Sequence, residues 1–208
     1  MTTTPETAAE TAVAQTEAAA SAASRVVDGV TFPAPGTYVL DPTHTRIGFV
    51  ARHLMVTKVR GSFGEFAGSI TVAEDPKDST AEATLKTISI ETGTADRDTH
   101  LRSGDFLEAE KYPEITFRNA RIQSQKGASF TVVGDLTIKE TTREVTLDVE
   151  IDGVAKDPWG NEKLAVTAST EIDREEFGMT WNVALETGGV LVSKKVKLEI
   201  EAQAARQG

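Results

Sequence analysis

The feature of this sequence that most constrains its fold is an alternation of apolar and polar residues that starts at about Gly36. Within the segment 142–153, every second residue from Val145 to Ile151 is apolar, and the residues between them are Thr, Asp and Glu. Successive side chains of a β-strand point to opposite faces of its sheet, so this period is typical of half-buried strands. The pattern predicts an all-β protein. It recurs in Phe130–Ile138, Leu164–Ile172 and Val190–Ile200.

Turn signals between these runs indicate how the strands connect. They lie at 125–127, 139–141, 157–161 and 187–189, and most of them are rich in Gly, Pro, Asn or Asp, which favour turns. Parallel strands need crossovers of about a dozen residues or more, and the second half of the chain has no room for them. The spacing therefore predicts antiparallel strands, arranged either as a sandwich or as a closed barrel.

Two short helical insertions are predicted in the first half of the chain. The first follows His53 and stops at Gly61. The second starts at Thr94 as its N-cap and ends at residues 103–104, with aspartates in its first turn, where the helix dipole favours them. Because both insertions are short, the all-β class is unchanged.

The chain divides into a tail and one folded domain. Residues 2–24 are rich in Ala and Thr, contain acidic but no basic residues, and show no apolar periodicity that could bury a face. We therefore predict a disordered, acidic Ala/Thr-rich tail over residues 1–30 and a single domain over residues 31–208.

The composition disfavours several functional classes. The formal net charge of -10 at pH 7 disfavours nucleic acid as a partner, because phosphate backbones would be repelled. The absence of cysteine removes disulfides, thiolate metal sites and cysteine nucleophiles. No run approaches the ~20 apolar residues that cross a bilayer, so we expect no integral membrane segment. Residues 1–24 lack the pattern of a secretory signal, which predicts a cytoplasmic location.

Few groups in the sequence are candidates for chemistry. The histidines His44, His53 and His100 do not show metal-ligand spacing. A nucleophile elbow, a glycine-rich phosphate loop and a dinucleotide fingerprint are also missing from the sequence. We therefore predict no catalytic residues, no metal and no cofactor. The alternative is an enzyme that acts through His53 or His100.

Two side chains allow both a structural and a ligand-binding interpretation. His53 shares strand parity with Phe49, so its ring is either a core histidine bonded to the backbone or a polar contact near a ligand head. Trp181 either plugs an end of the domain or lies at the mouth of a pocket. The sequence leaves these alternatives open.

Several distinctive runs occur in a recognisable order. The most specific is RDxHLRSxDFL over residues 97–107, followed by KYPxIxF over residues 111–117. The other runs are Tyr38–Thr45, Arg52–Leu54, Val59–Phe63, Asp157–Asn161 and Asp173–Asn182. Together these runs resemble the YceI-like polyisoprenoid-binding family, and the resemblance covers about Gly36 to Ala202.

This resemblance implies a fold and a function. The implied fold is an extended lipocalin-like antiparallel barrel of about eight strands, with one or two short helices inserted in its first half. The implied function of the domain at 31–208 is to bind a long-chain polyisoprenoid lipid, of the quinone or prenyl-phosphate type, for storage, transport or sequestration. The chain departs from the family at Lys194 and Lys195, where an acidic pair is expected, and in lacking the signal that many periplasmic members carry. Homodimer formation is left open.

The inward face of the alternation, joined to these motifs, predicts the wall of the lipid pocket. If side chains filled the interior instead, the protein would be a solid-core interaction module without a ligand. The predicted lining residues are Ile47, Phe49, Ala51, His53, Phe63, Phe66, Leu85, His100, Phe106, Phe117, Val132, Leu136, Leu147, Val149, Val166, Met179, Trp181 and Val192.

Overall fold

The computed structural model describes residues 24–27, 30–186 and 189–208, and within them the chain is mostly strand. The α-helix is α1 (Ala95–Arg102), and short 3₁₀ helices lie at Pro76–Asp78, Thr87–Ser89 and Arg174–Phe177. The strands are β1 (Arg25–Val27), β2 (Val30–Phe32), β3 (Gly36–Leu40), β4 (Arg46–His53), β5 (Thr57–Phe63), β6 (Phe66–Val72), β7 (Thr80–Lys86), β8 (Ile90–Glu91), β9 (Glu114–Lys126), β10 (Ser129–Ile138), β11 (Thr141–Lys156), β12 (Glu162–Asp173) and β13 (Val192–Arg206).

Eight of these strands close into an antiparallel barrel. The order around the barrel is β12, β11, β10, β9, β7, β6, β3 and β13, and the pairing of β13 with β12 closes the ring. That closing pair is long, with a register that runs from Lys163 opposite Ala205 to Asp173 opposite Lys195. The predicted all-β class and lipocalin-like antiparallel barrel are confirmed. Closure leaves few unpaired strand edges, which is how barrels avoid edge-to-edge association.

The remaining strands of the main sheet lengthen the wall on one side. Both β3 and β4 pair with the same edge of β13, with Leu40 opposite Ala204 and Ile47 opposite Ile200. These two strands therefore act as consecutive segments of one wall strand. Next to β4 lies β5, and β5 in turn pairs with the two-residue strand β8.

Two glycines of the wall lie beneath aromatic rings. A Cβ atom at Gly61 would collide with the Phe49 ring, and one at Gly134 would collide with the Phe117 ring. Gly61 lies directly opposite Phe49 in the β4–β5 register. Gly134 lies two residues from Leu136, the partner of Phe117 in the β9–β10 register. The missing side chain lets the ring lie against the sheet. Both rings consequently line the barrel wall.

A small two-stranded sheet lies at the end of the barrel where β12 begins. Its strands β1 and β2 pair antiparallel, and Phe32 meets the Phe130 ring edge to face at 6.1 Å between centroids. Arg25 Nη2 donates to the Ala73 carbonyl at 3.1 Å. Regular structure thus begins before residue 31, the predicted start of the folded domain, because these residues find partners on the barrel that no local pattern reveals. Most of the predicted tail lies outside the described residues.

A buried polar contact fixes the chain between that small sheet and the barrel. Glu162 accepts a 2.8 Å hydrogen bond from the Ala34 amide and a 2.5 Å bond from the Tyr38 hydroxyl. All three residues are buried. Burial, reinforced by Glu162, raises the pKa of Tyr38, so the phenol keeps the proton that it donates. This contact joins the first barrel strand to the start of β12.

The second predicted helix is confirmed, and the first is wrong. Helix α1 has Thr94 at its N-cap and Ser103 at its C-cap, as expected. Residues 54–56, by contrast, form the turn of a β-hairpin between β4 and β5, in which the Val56 amide donates to the His53 carbonyl at 3.1 Å. Leu54 and Met55 have positive φ angles of 53° and 60°, which are those of a type I′ turn. Asn-Gly usually marks such turns, so Leu-Met gave no signal.

Replacing both turn residues is expected to stabilise the protein. Leu54→Asn together with Met55→Gly should raise the free energy of unfolding by about 1–2 kcal/mol, because the left-handed conformation costs ordinary residues about that much. Urea unfolding followed by circular dichroism measures the change. The matched control is Leu54→Ala with Met55→Ala, which removes the same exposed apolar surface but keeps both Cβ atoms. Equal stabilisation by the control would contradict the conformational explanation.

Candidate functional site

The barrel encloses a cavity of about 370 Å³. Its wall consists almost entirely of apolar side chains from the inward face of the alternating strands, as the period of two requires. The volume lies within the range of about 300–1,000 Å³ that is usual for small-molecule sites. The barrel is therefore not packed solid, and the solid-core alternative is wrong for this chain.

The cavity is elongated along the barrel. On β12 its lining extends from Leu164 to Ile172, which at about 3.3 Å per residue is about 26 Å of strand. With the usual strand tilt of about 35–45°, this corresponds to about 20 Å along the barrel axis. Phe32 lines one extreme and Arg174 the other, and we call these the Phe32 end and the Arg174 end. The space is long and narrow, which suits a chain-like molecule.

Most of the predicted pocket residues lie on the cavity wall. Most of them lie at inward-facing positions of the strands. The others lie in the segments that close the Arg174 end of the barrel. Their role as ligand contacts stays a prediction. They are Ile47, Phe49, Ala51, Phe63, Leu85, Phe106, Phe117, Val132, Leu136, Leu147, Val149, Val166, Met179 and Val192.

Two predicted residues of the strands do not line the cavity. His53 is half-buried at the end of β4, where it pairs with Thr57 and Val192. The type I′ turn that follows it places it at the rim of the barrel, beyond the cavity. Phe66 is also half-buried and packs against the apolar core at the start of β6, but the cavity does not reach it.

The rings of His100 and Trp181 pack against Phe106 on the side away from the cavity. The His100 ring lies 4.6 Å from the Trp181 ring and 5.0 Å from the Phe106 ring, between centroids. Its Nε2 atom is 2.7 Å from Asp105 Oδ2, and its side chain is 39% exposed. Phe106 alone of the three rings lines the cavity. Neither His53 nor His100 therefore contacts the enclosed space, and Trp181 packs behind its wall.

The prediction missed several residues of the wall. Some of them share the parity of predicted neighbours, so alternation could have identified them: Val145, Ile151, Ile172, Val196, Leu198 and Ile200. Others, such as Phe32 and Pro33, come from the segment before β3, where no periodic signal exists. Arg174 was missed because a charged residue is not expected on an apolar wall.

Arg174 is the most unusual member of the wall. Its residue is 3% exposed, and its Nε donates to the Ser193 carbonyl at 3.0 Å while its Nη1 donates to the Met179 carbonyl. Burial lowers the pKa of the guanidinium, and the neighbouring carboxylates Glu175 and Asp173 oppose that shift. The Nη2 atom is buried and has no hydrogen-bond partner in the described structure.

The lysines that depart from the family pattern lie near this end. Lys194 Nζ is 2.7 Å from a Glu175 oxygen, and Lys195 Nζ is 3.9 Å from an Asp173 oxygen. The carboxylates on either side of Arg174 in the sequence thus have exposed lysines as their ion-pair partners. In consequence, neither forms a salt bridge to the buried guanidinium.

No metal centre is built by the part of the chain that the structure describes: it brings no three His, Asp or Glu side chains together in a suitable group. The third histidine, His44, lies in the exposed loop after β3, with its Nδ1 3.0 Å from Asp41 Oδ2. Hydrogen bonds from Thr43 and then His44 lower the pKa of Asp41 to about 2. This pair stabilises a loop and lies away from the cavity wall.

Helices long and apolar enough to span a bilayer do not occur in the described ranges.

Comparison with known proteins finds relatives that this chain matches over nearly their whole length. A UPF0312 protein of Staphylococcus aureus strain N315 is 43% identical over 170 residues, which cover 80% of this chain and 95% of the relative. The corresponding protein of strain USA300 is 42% identical over the same length. The match therefore spans most of the 208 residues of the chain.

Solved structures share the barrel. A Campylobacter jejuni YCEI protein superposes with a TM-score of 0.66 at 29% identity, covering 76% of this chain and 90% of that one. Burkholderia cenocepacia BcnA gives 0.67 at 21% identity, covering 79% and 99%. A polyisoprenoid binding domain from Saccharophagus degradans gives 0.57 at 15% identity, covering 82% and 98%. The model of the YceI-like domain matches residues 38–204, almost the entire barrel, and the chain therefore belongs to the YceI-like family.

Proposed function

We propose that this protein binds a long-chain isoprenoid lipid in the barrel cavity, for storage, transport or sequestration. The observation that carries the proposal is an elongated cavity of about 370 Å³ with an almost wholly apolar wall. A structural neighbour described as a polyisoprenoid binding domain supports the same ligand class. Apolar burial supplies the affinity and needs few polar contacts.

The energetics favour a chain-like ligand. Larger ligands gain about 0.3 kcal/mol per non-hydrogen atom, so each five-carbon isoprene unit contributes about 1.5 kcal/mol, or roughly tenfold in affinity. That gain continues only while added units find space inside the barrel. Affinity should therefore depend steeply on tail length up to the length of the cavity.

The proposal assigns no catalytic step. The histidines that an enzyme of this kind would use, His53 and His100, lie outside the cavity wall. The one ionisable side chain at the Arg174 end is a guanidinium, which does not exchange protons near neutral pH. A cytoplasmic location and homodimer formation stay predictions from the sequence.

Two measurements test the proposal. Native mass spectrometry of the purified full chain should detect a bound prenyl lipid. Quinones with one to eight isoprene units should then be titrated into delipidated protein, with Trp181 fluorescence as the signal, because its ring packs on the cavity-lining Phe106 at 5.4 Å. A Trp159→Phe background removes the other, 84% exposed tryptophan from the signal.

The expected result is a dissociation constant that falls about tenfold per added unit and then levels off when the cavity is full. Protein that is always empty after purification and takes up no quinone of any length would refute the proposal. Binding that does not depend on tail length would place the ligand outside the cavity and would refute it equally.

A further inference from the structure

One fully buried cation, Arg174, lies on the largely apolar wall of the cavity. Arg174 is 97% removed from solvent by the surrounding residues, since its exposure is 3%. Two of its nitrogens, Nε and Nη1, donate to backbone carbonyls, and those bonds fix the plane of the guanidinium. The third nitrogen, Nη2, is buried without a partner among the described residues. A buried donor left unpaired costs about 1–3 kcal/mol, so its retention calls for an explanation.

Within the described ranges, no carboxylate forms a salt bridge with this cation. Asp173 and Glu175 form ion pairs with Lys195 and Lys194 instead, as described above. The other contact of the guanidinium is the face of the Phe106 ring, 5.8 Å from its central carbon. Phe106 also lines the cavity, so the donor lies beside an aromatic surface at the Arg174 end.

We propose that Arg174 anchors the polar head of the bound lipid, and that this head is a neutral group with a carbonyl or phenol oxygen. Nη2 donates one charge-assisted hydrogen bond to that oxygen, and the head ring lies against Phe106. The tail then extends toward the Phe32 end. This inference rests on the proposed lipid-binding function and specifies its ligand class and the orientation of the ligand.

The placement of the donors at the Arg174 end separates a neutral head from a phosphate. The guanidinium carries five N–H groups, of which two donate to the Ser193 and Met179 carbonyls, and Nη2 is the nitrogen left without a partner among the described residues. A phosphate or diphosphate head needs donors on several sides to replace its water shell. The side chains that share this end of the cavity with Arg174, namely Met179, Phe106 and Val192, offer none. A neutral carbonyl or phenol oxygen on an apolar ring needs donors from one side only, and Nη2 supplies them from that side.

The other arginine of the wall serves as a comparison. Arg25 lines the Phe32 end, but its Nη1 lies 3.5 Å from Glu74 and its Nη2 donates to Ala73. Its Nε is buried without a partner among the described residues, but the side chain as a whole is 28% exposed. Arg25 thus has a charge partner and solvent access, which Arg174 lacks.

The test uses three probes with the same tail of about eight isoprene units: one with a benzoquinone head, one ending as a hydrocarbon, and one with a monophosphate head. In the wild-type chain the quinone should bind about 10- to 100-fold more tightly than the hydrocarbon, as expected for a hydrogen bond to a charged group. The phosphate should bind no more tightly than the hydrocarbon.

Arg174→Met should abolish the preference for the quinone while leaving the affinity for the hydrocarbon within about threefold. Arg25→Met is the matched control and should keep the full preference. If Arg25→Met removes the preference instead, the head lies at the opposite end and the proposal is overturned. Tightest binding by the phosphate probe overturns the neutral-head assignment.

A measurement on the wild-type protein decides the case even if Arg174→Met does not fold. Isotope-edited infrared spectra of the bound quinone should show one of its two carbonyl bands moved to lower wavenumber, the signature of a strong hydrogen bond. Two unshifted bands overturn the anchor while the lipid-binding function stands. Failure of all three probes to bind contradicts the proposed function itself, so the two failures are distinguishable.

Discussion

Ala168→Trp is expected to weaken the binding of long-chain isoprenoid lipids to this protein by more than hundredfold. Ala168 lies midway along β12, faces the cavity, and pairs with Val149 on one side and Ile200 on the other. Its side chain is smaller than those of both cross-strand neighbours, so an indole placed here projects into the space between the walls. Blocking that level excludes about ten carbons, worth about 3 kcal/mol and hence more than hundredfold in affinity.

The measurement is quinone titration combined with native mass spectrometry of the purified variant. Thr167→Trp is the matched control, because Thr167 is the adjacent residue on the same strand and is exposed on the outer face. That variant should bind like the wild type. Undiminished uptake by Ala168→Trp would mean that the lipid does not occupy the barrel interior.

Glu162→Ala is expected to cause the largest loss of stability. The substitution removes the acceptor for the buried Ala34 amide and for the Tyr38 hydroxyl. Hydrogen bonds to charged groups contribute about 1.5–3 kcal/mol each, but the Tyr38 hydroxyl can turn to the Ala34 carbonyl, 2.8 Å away. We therefore expect a loss of about 3 kcal/mol, which in a chain of this length lowers Tm by about 6–12 °C.

Differential scanning calorimetry measures the change. Glu162→Gln is the matched control, since its amide oxygen still accepts from the Ala34 amide, and its loss should be less than half as large. Equal losses in the two variants would show that the charge of Glu162, rather than its role as acceptor, stabilises the contact. An unchanged Tm in Glu162→Ala would refute the structural role altogether.

The strands and their inward faces could be predicted because they depend on a local, repeating pattern. Val145 to Ile151 alternate without interruption, and the four apolar residues of this run all line the cavity. Helix α1 was predicted for a similar reason, since Thr94 and the aspartates after it form a local start signal. Each of these inferences needs only neighbouring residues.

Local patterns failed where distant contacts decide the conformation. Leu54 and Met55 adopt a type I′ turn because β4 and β5 must pair across it, although neither residue favours positive φ. The strand at Arg25–Val27 exists because β2 pairs with it and β2 in turn packs on the barrel. In both places tertiary pairing overrides the preference of the residues themselves.

The sequence by itself determined which side chains face inward and, through the motifs between Tyr38 and Asn182, the family of the fold. It did not determine that the two sides of the barrel stand apart, because alternation specifies direction and carries no information on distance. Only the closing pairing of β12 with β13 sets the diameter and leaves the cavity empty of side chains. Tertiary structure also decided that Arg174 forms no salt bridge with its sequence neighbours Asp173 and Glu175, since these carboxylates pair with lysines in space.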